Sequence, residues 1–209
     1  NKNAVIKNVN FASVNFTFTE GFYDRGMILR NVGTIQNCVI RSGKIKMRLP
    51  DDYQSDYVSA VGSFVGLNYG TILNCVNMAD ITAITNGISA SGIAASMVSG
   101  SSITHCLNLG SIYAESYDGG GIASATGIVA STYYECDCSN NANAGKLQAV
   151  ITGDYSESYT CNIAYSYASD KHYPTNCYAT QRYDDDPVPD EITVVSRDTL
   201  LSMWSDVLN

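Results

Sequence analysis

GTIQNCVIRSGKI (33–45), GTILNCVNMADIT (70–82) and SSITHCLNLGSIY (101–113) repeat one pattern. Each carries Ile, one variable residue, Asn or His, Cys, then Val or Leu, and a second Ile follows. Looser echoes lie at TYYECDCSNN (132–141) and TNCYATQ (175–181). The cysteines at 38, 75, 106, 136 and 177 step by 37, 31, 30 and 41 residues, so the outer steps leave room for insertions such as MRLPDDYQSD (47–56) and the stretch near 170–174. A second segment precedes each Cys segment: VGSFVGLNYG (61–70), SGIAASMVSG (91–100) and GGIASATGIVAS (120–131). Self-similarity at this period is the mark of a repeat architecture.

Composition decides between helical and strand repeats. Gly, Asn, Ser, Thr, Val and Ile dominate each unit, and strong helix formers are sparse. The apolar runs are short and broken by NG, SG and GG pairs, which mark turns. The expected fold is therefore all-β: a right-handed parallel β-solenoid (β-helix) with a capping α-helix at the C-terminus. In such a stack like residues lie over one another about 4.8 Å apart. Cys38, Cys75, Cys106, Cys136 and Cys177 are expected to form one row, with side chains pointing inward. The residue before most of them (Asn37, Asn74, His105, Asn176) suits a bend, because these types tolerate left-handed backbone.

SFVGLNYGTILNCVNMADIT (63–82) resembles the GLUG repeat, matching at Phe64, Val65, Gly66, Asn68, Gly70, Ile72, Asn74 and Cys75. The units around Cys38 and Cys106 match in their second halves. The resemblance covers residues 27–135 well and the rest loosely, and the unit around Cys136 reads as a transition. It implies β-solenoid coils of large bacterial surface proteins, adhesin-like proteins and non-catalytic regions of some secreted metallopeptidases among them. It implies a secreted or cell-surface location and carries no catalytic motif.

Three segments are expected: a solenoid of about five to six coils over 1–183, an acidic Pro-containing linker over 184–195, and a helix over 196–209. In SRDTLLSMWSDVLN (196–209), Ser196 is the expected N-cap. Leu200, Leu201, Trp204, Val207 and Leu208 fall on one helical face and would pack on the solenoid or cap its end. No cap is evident at the other end. No signal peptide is recognised and the chain opens on Asn-Lys-Asn, so it is expected to be part of a longer chain.

The chain has 12 Lys and Arg against 20 Asp and Glu, a formal net charge of −8. That balance argues against nucleic acid and against anionic membranes as partners. No apolar run approaches the roughly 18 residues of a transmembrane helix, so no membrane insertion is expected.

Nucleophilic catalysis by Cys needs a nearby base, and the only histidines are His105 and His172. His105 adjoins Cys106 but takes the Asn position of the repeat, and strand alternation should send the two apart. Cys136 and Cys138 form one CxC without a second pair, which is poor zinc spacing. Asp184, Asp185 and Asp186 are the densest acidic group, yet no calcium loop surrounds them. Asp80 and Glu115 are isolated acids, and Arg30 and Arg41 are cations without partners. The seven cysteines are expected to be mostly thiols, with Cys138 and Cys161 the candidates for a disulfide. No catalytic, metal or cofactor-binding residue is assigned, and no cofactor is expected.

Fifteen Tyr are an excess, many of them late: Tyr133, Tyr134, Tyr155, Tyr159, Tyr165, Tyr167, Tyr173, Tyr178 and Tyr183. Exposed Tyr would suit sugar or protein contacts. Tyr159, Cys161, Ile163, Tyr165 and Tyr167 share one strand parity, which favours packing, with the C-terminal helix as a cover. The expected function is a non-catalytic, structural or adhesive module contacting host glycans or proteins. The alternatives are a carbohydrate-active β-helix enzyme, or an accessory region of a larger secreted enzyme.

Overall fold

The computed structural model describes residues 1–20, 24–50, 58–117, 121–133, 135–152, 157–164, 174–183, 186 and 192–208. The protein is mostly β, with 52% strand and 6% helix. Among the described residues the strands form five sheets, and the pairings within them are parallel. Successive strands along the chain enter different sheets and pair with their equivalents in the next repeat, except the last two, Cys177–Ala179 and Ile192–Val194, which pair with each other in one sheet. The first sheet holds Val5–Lys7, Thr34–Gln36, Thr71–Leu73 and Ser102–Thr104. The second, of seven strands, runs from Asn10–Phe11 through Val39–Ile40, Val76–Asn77, Leu107–Asn108, Ala142–Asn143 and Cys177–Ala179 to Ile192–Val194. The third carries the longer strands Val14–Phe18, Gly43–Arg48, Asp80–Ile84, Ile112–Tyr117 and Leu147–Thr152. Ser59–Gly62, Ile88–Ser91, Ala123–Thr126 and Ser158–Cys161 make the fourth; Ile28–Asn31, Val65–Asn68, Ala94–Met97 and Val129–Thr132 make the fifth.

Register turns the repeat into rows. Ile6, Ile35, Ile72 and Ile103 are direct partners. Cys38, Cys75 and Cys106 precede the paired residues Val39, Val76 and Leu107 and lie in one row, fully buried in the main hydrophobic core. Asn8, Asn37, Asn74, His105, Asn140 and Asn176 make the bend before them, all with φ between 52° and 57°. Those residues are the ones that reach left-handed backbone most readily, so the bend recurs at each repeat.

Cys136 departs from the expected row. Leu107 pairs with Ala142 and Ala142 with Tyr178, so the position between Cys106 and Cys177 belongs to Asn141. Asn141 replaces the thiol with hydrogen bonds: its Oδ1 accepts the Cys106 amide at 2.8 Å and its Nδ2 donates to the Ile103 carbonyl at 2.7 Å. Cys136 stands in the turn beside the Ser101 hydroxyl, and Cys138 continues the isoleucine row after Ile103. All seven cysteines are thiols, Cys138 and Cys161 included; those two stand in different sheets.

A second asparagine row lies inside the core. Asn77, Asn108 and Asn143 are buried, and each Nδ2 donates to the next Oδ1 at 2.9 Å, ending on Asn162. Each amide also closes a local turn, as Asn108 does with the Gly110 carbonyl at 2.9 Å. The row needs bare backbone opposite it. A Cβ on Gly127 would come within 2.6 Å of the Asn143 side chain, and one on Gly92 equally close to Asn108.

The C-terminal helix lies on a flank and does not cover an end of the stack. Ser196 caps Arg197–Met203 by accepting the Thr199 amide, as expected. Leu200 and Trp204 are buried against Val39, Val76, Leu107 and Ala142, with Leu201, Val207, Leu208 and Tyr178 around them. These residues follow the row containing the inward cysteines, so they point outward and present an apolar strip to the helix. Arg41 donates to the Leu208 carbonyl at 2.7 Å and Arg197 to that of Ala144 at 3.1 Å, so the helix reaches across several repeats. Tyr159, Cys161 and Ile163 are not beneath it: Cys161 and Ile163 are buried elsewhere, and Ser158–Cys161 pairs with Ala123–Thr126. Ile192–Val194, inside the stretch expected as linker, is the last strand of the seven-stranded sheet. The insertion at 51–56, His172, Asp184, Asp185 and Tyr134, Tyr155, Tyr165, Tyr167 and Tyr173 lie outside the described residues.

Candidate functional site

The residues with chemical potential are mostly absorbed by the fold. Cys106 is buried while His105 is exposed, so the two neighbours face different environments. Hydrogen bonding from Cys75 and burial hold the Cys38 thiol far above its ordinary value; Cys106 does the same to Cys75, and burial to Cys138. Thiols held protonated in this way are weak nucleophiles. Asp80 accepts the Ser111 amide at 3.0 Å, and Glu115 accepts the Tyr113 hydroxyl at 2.8 Å. Asp80 pairs with Lys44 and Glu115 with Ile84, so the two carboxylates sit at different levels of the sheet and do not converge. Arg41 is spent on Asn10 and the helix end. Asp186 closes the buried asparagine row, accepting both the backbone and side-chain amides of Asn162. Among the described residues no three His, Cys, Asp or Glu side chains gather as a metal site, and no helix is long and apolar enough to cross a membrane.

What remains is a row on the outer surface. Asn31, Asn68, Met97 and Thr132 are partners at the end of the fifth sheet. The next residues are Val32, Tyr69, Val98 and Tyr133. The ladder continues through them: Tyr69, Val98 and Tyr133 donate their amides to Asn31, Asn68 and Met97 at 2.8, 2.9 and 3.1 Å. Two buried asparagines fix their direction. The Asn31 Oδ1 accepts the Gly33 amide and the Asn68 Oδ1 that of Gly70, and the Asn31 Nδ2 joins them at 2.8 Å. Each side chain turns inward and closes a turn over the residue between, which leaves Val32 and Tyr69 on the outside.

Tyr69 is 37% exposed and Tyr133 54% exposed, the two most exposed tyrosines among the described residues. They share this row with one strand between them, which puts their backbones roughly 9.6 Å apart. The Arg30 guanidinium lies 4.1 Å from the centre of the Tyr69 ring and holds it by cation–π attraction. The surface is a short aromatic ridge on rigid backbone, with a cation at one end. Tyr178, by contrast, packs with the helix, Tyr183 accepts the Leu147 amide, and Tyr159 bonds Glu157. The late tyrosines therefore divide: Tyr133 is available for contact and the others described are engaged. Tyr69 carried no signal in the sequence, because only register brings it level with Tyr133. No family model, curated protein or solved structure matches this chain.

Proposed function

We propose that the chain is a right-handed parallel β-solenoid of the GLUG kind, extending through its last strand Ile192–Val194, that serves as a non-catalytic, secreted or cell-surface binding module. The rows of Ile and Asn, and a Cys row interrupted at Asn141, support the architecture, since equivalent strands of successive repeats pair in parallel at fixed register. The ligand is an extracellular glycan, which lies along the ridge Val32–Tyr69–Val98–Tyr133. The observation that carries this reading is that the two exposed tyrosines share one row. Flat aromatic faces on rigid backbone accept the apolar face of a sugar ring at little entropic cost.

The test is binding of the purified chain to a panel of polysaccharides, followed by titration of any that bind. Tyr69→Ala and Tyr133→Ala should each weaken binding about fivefold to tenfold, as loss of one stacking contact of about 1 kcal/mol implies. Melting temperature should not change. Binding that survives both substitutions, or binding to a protein and to no glycan, would remove the glycan assignment.

A further inference from the structure

Several guanidinium groups are spent on the fold. Arg41 donates to Asn10 and to the Leu208 carbonyl, Arg182 to the Ile192 carbonyl and Arg197 to the Ala144 carbonyl, while Arg25 lies beside the Asp24 carboxyl. Arg30 is different. It is exposed, and among the described residues its contact is the Tyr69 ring, whose centre lies 4.1 Å from the guanidinium carbon. The row through Arg30 continues with Leu67, Ser96 and Ser131, so it brings no carboxylate beside the guanidinium. The adjoining ridge of Val32, Tyr69, Val98 and Tyr133 brings none either. The Asp24 carboxyl, near this row, is held by the Ser96 hydroxyl and faces Arg25.

A guanidinium over a ring is engaged through its flat face. Its five N–H donors lie in the plane and form a fork that matches the two oxygens of a carboxylate. Tyr69 is fixed by its amide bond to the Asn31 carbonyl, so its ring sets where that fork stands. Tyr69 and Tyr133 therefore offer different things: Arg30 covers one face of Tyr69, whereas Tyr133 is 54% exposed and has no cation over it among the described residues. Given a glycan on the ridge, as proposed above, we infer that it is an acidic one, whose carboxylate pairs with Arg30 beside Tyr69 while a neighbouring ring stacks on Tyr133. Glu135, exposed two residues past Tyr133, disfavours a carboxylate on that side, so the ligand lies in one direction. The whole chain is acidic, but screening at physiological salt falls within about 8 Å, so the charge met by the ligand is the local one.

The test is binding of the 209-residue chain to hyaluronan and polygalacturonate, each beside its carboxyl-reduced, neutral form, with dextran sulfate as a polymer of dense charge without carboxylates. At least one acidic form should bind about tenfold or more tighter than its reduced form, as one charge-assisted pair implies, and added salt should shrink the difference. Arg30→Gln should bring the two forms to equal affinity. Arg30→Lys, which keeps the charge and loses the fork, should restore only part of the difference. Tyr133→Ala should weaken both forms alike and leave their ratio unchanged. Equal binding of acidic and reduced forms, or a preference that survives Arg30→Gln, overturns the inference and leaves the glycan reading standing. Tightest binding to dextran sulfate means that the site reads charge alone, and the carboxylate assignment falls. Binding to no polymer in either form overturns both.

Discussion

Asn77, Asn108 and Asn143 occupy interior positions where an aliphatic side chain would bury more apolar surface. A buried amide is tolerable only when its donors and acceptor are met. Here the row meets them: Asn108 accepts from Asn77 and donates to Asn143 and to the Gly110 carbonyl. Asn108→Ala would strand the Asn77 amide and the Gly110 carbonyl together, and should cost about 2–4 kcal/mol. Urea unfolding measures it, and a loss below about 1 kcal/mol would mean that the row is incidental. Asp24 is the opposite case, a carboxyl whose burial is only partly met. Burial lifts its pKa from 3.8 to about 6, with the Ser96 hydroxyl and Arg25 pulling it back. A raised folded-state value means the carboxyl favours folding when protonated. That contribution is full below about pH 3.8 and is lost as pH rises through about 6. Asp24→Asn should therefore raise the melting temperature at pH 7.5 and leave it nearly unchanged at pH 3.5. An equal shift at both values would remove titration as the cause.

At the scale of elements, the helix shows how far a pattern reaches and where it stops. The spacing of Leu200, Leu201, Trp204, Val207 and Leu208 reveals an apolar face, and those residues do pack together. It does not reveal the surface that receives them. The clue lay elsewhere: if Cys38, Cys75 and Cys106 point inward, then Val39, Val76 and Leu107 point outward, and a solvent-facing apolar strip requires a cover. The same logic explains the misplacement of Cys136. Two cysteines in TYYECDCSNN drew the row to the wrong residue, whereas the bend at Asn140 fixes it on Asn141. Trp204 joins the helix to the sheet twice over, by packing and by its Nε1 donating to the His105 carbonyl at 2.7 Å. Trp204→Phe should lose that bond but keep most of the contact, for about 1–2 kcal/mol. Trp204→Ala should lose about 3–5 kcal/mol. Thermal melts of the two variants would separate these contributions, and equal losses would mean that the packing is worth nothing.

For the whole molecule, rows matter more than any local motif, and this sets what a sequence can reveal. The Ile and Cys rows were legible because one residue type recurs in them. The Tyr69–Tyr133 ridge was not, because its members are 64 residues apart and are aligned only by the pairing of four strands. Rows also make stability uneven. Among the described residues, a central strand such as Thr71–Leu73 has a partner on both sides, whereas Val5–Lys7 has one. Opening a central strand breaks two ladders and exposes buried Ile72; opening Val5–Lys7 breaks one and exposes little that is not already wet. Local opening free energy should therefore fall toward the first repeat. In hydrogen exchange at low concentration, the amides of Ile72, Val76 and Ile81 should exchange at least a hundredfold more slowly than those of Val5–Lys7 and Val14–Phe18. The helix bonds Arg41 at one end and Ala144 at the other, so the repeats between should exchange as one block. Removing residues 196–209 should break that block into steps. Uniform protection from Val5 to Ile112 would mean that a strand's place in its sheet does not set its local stability.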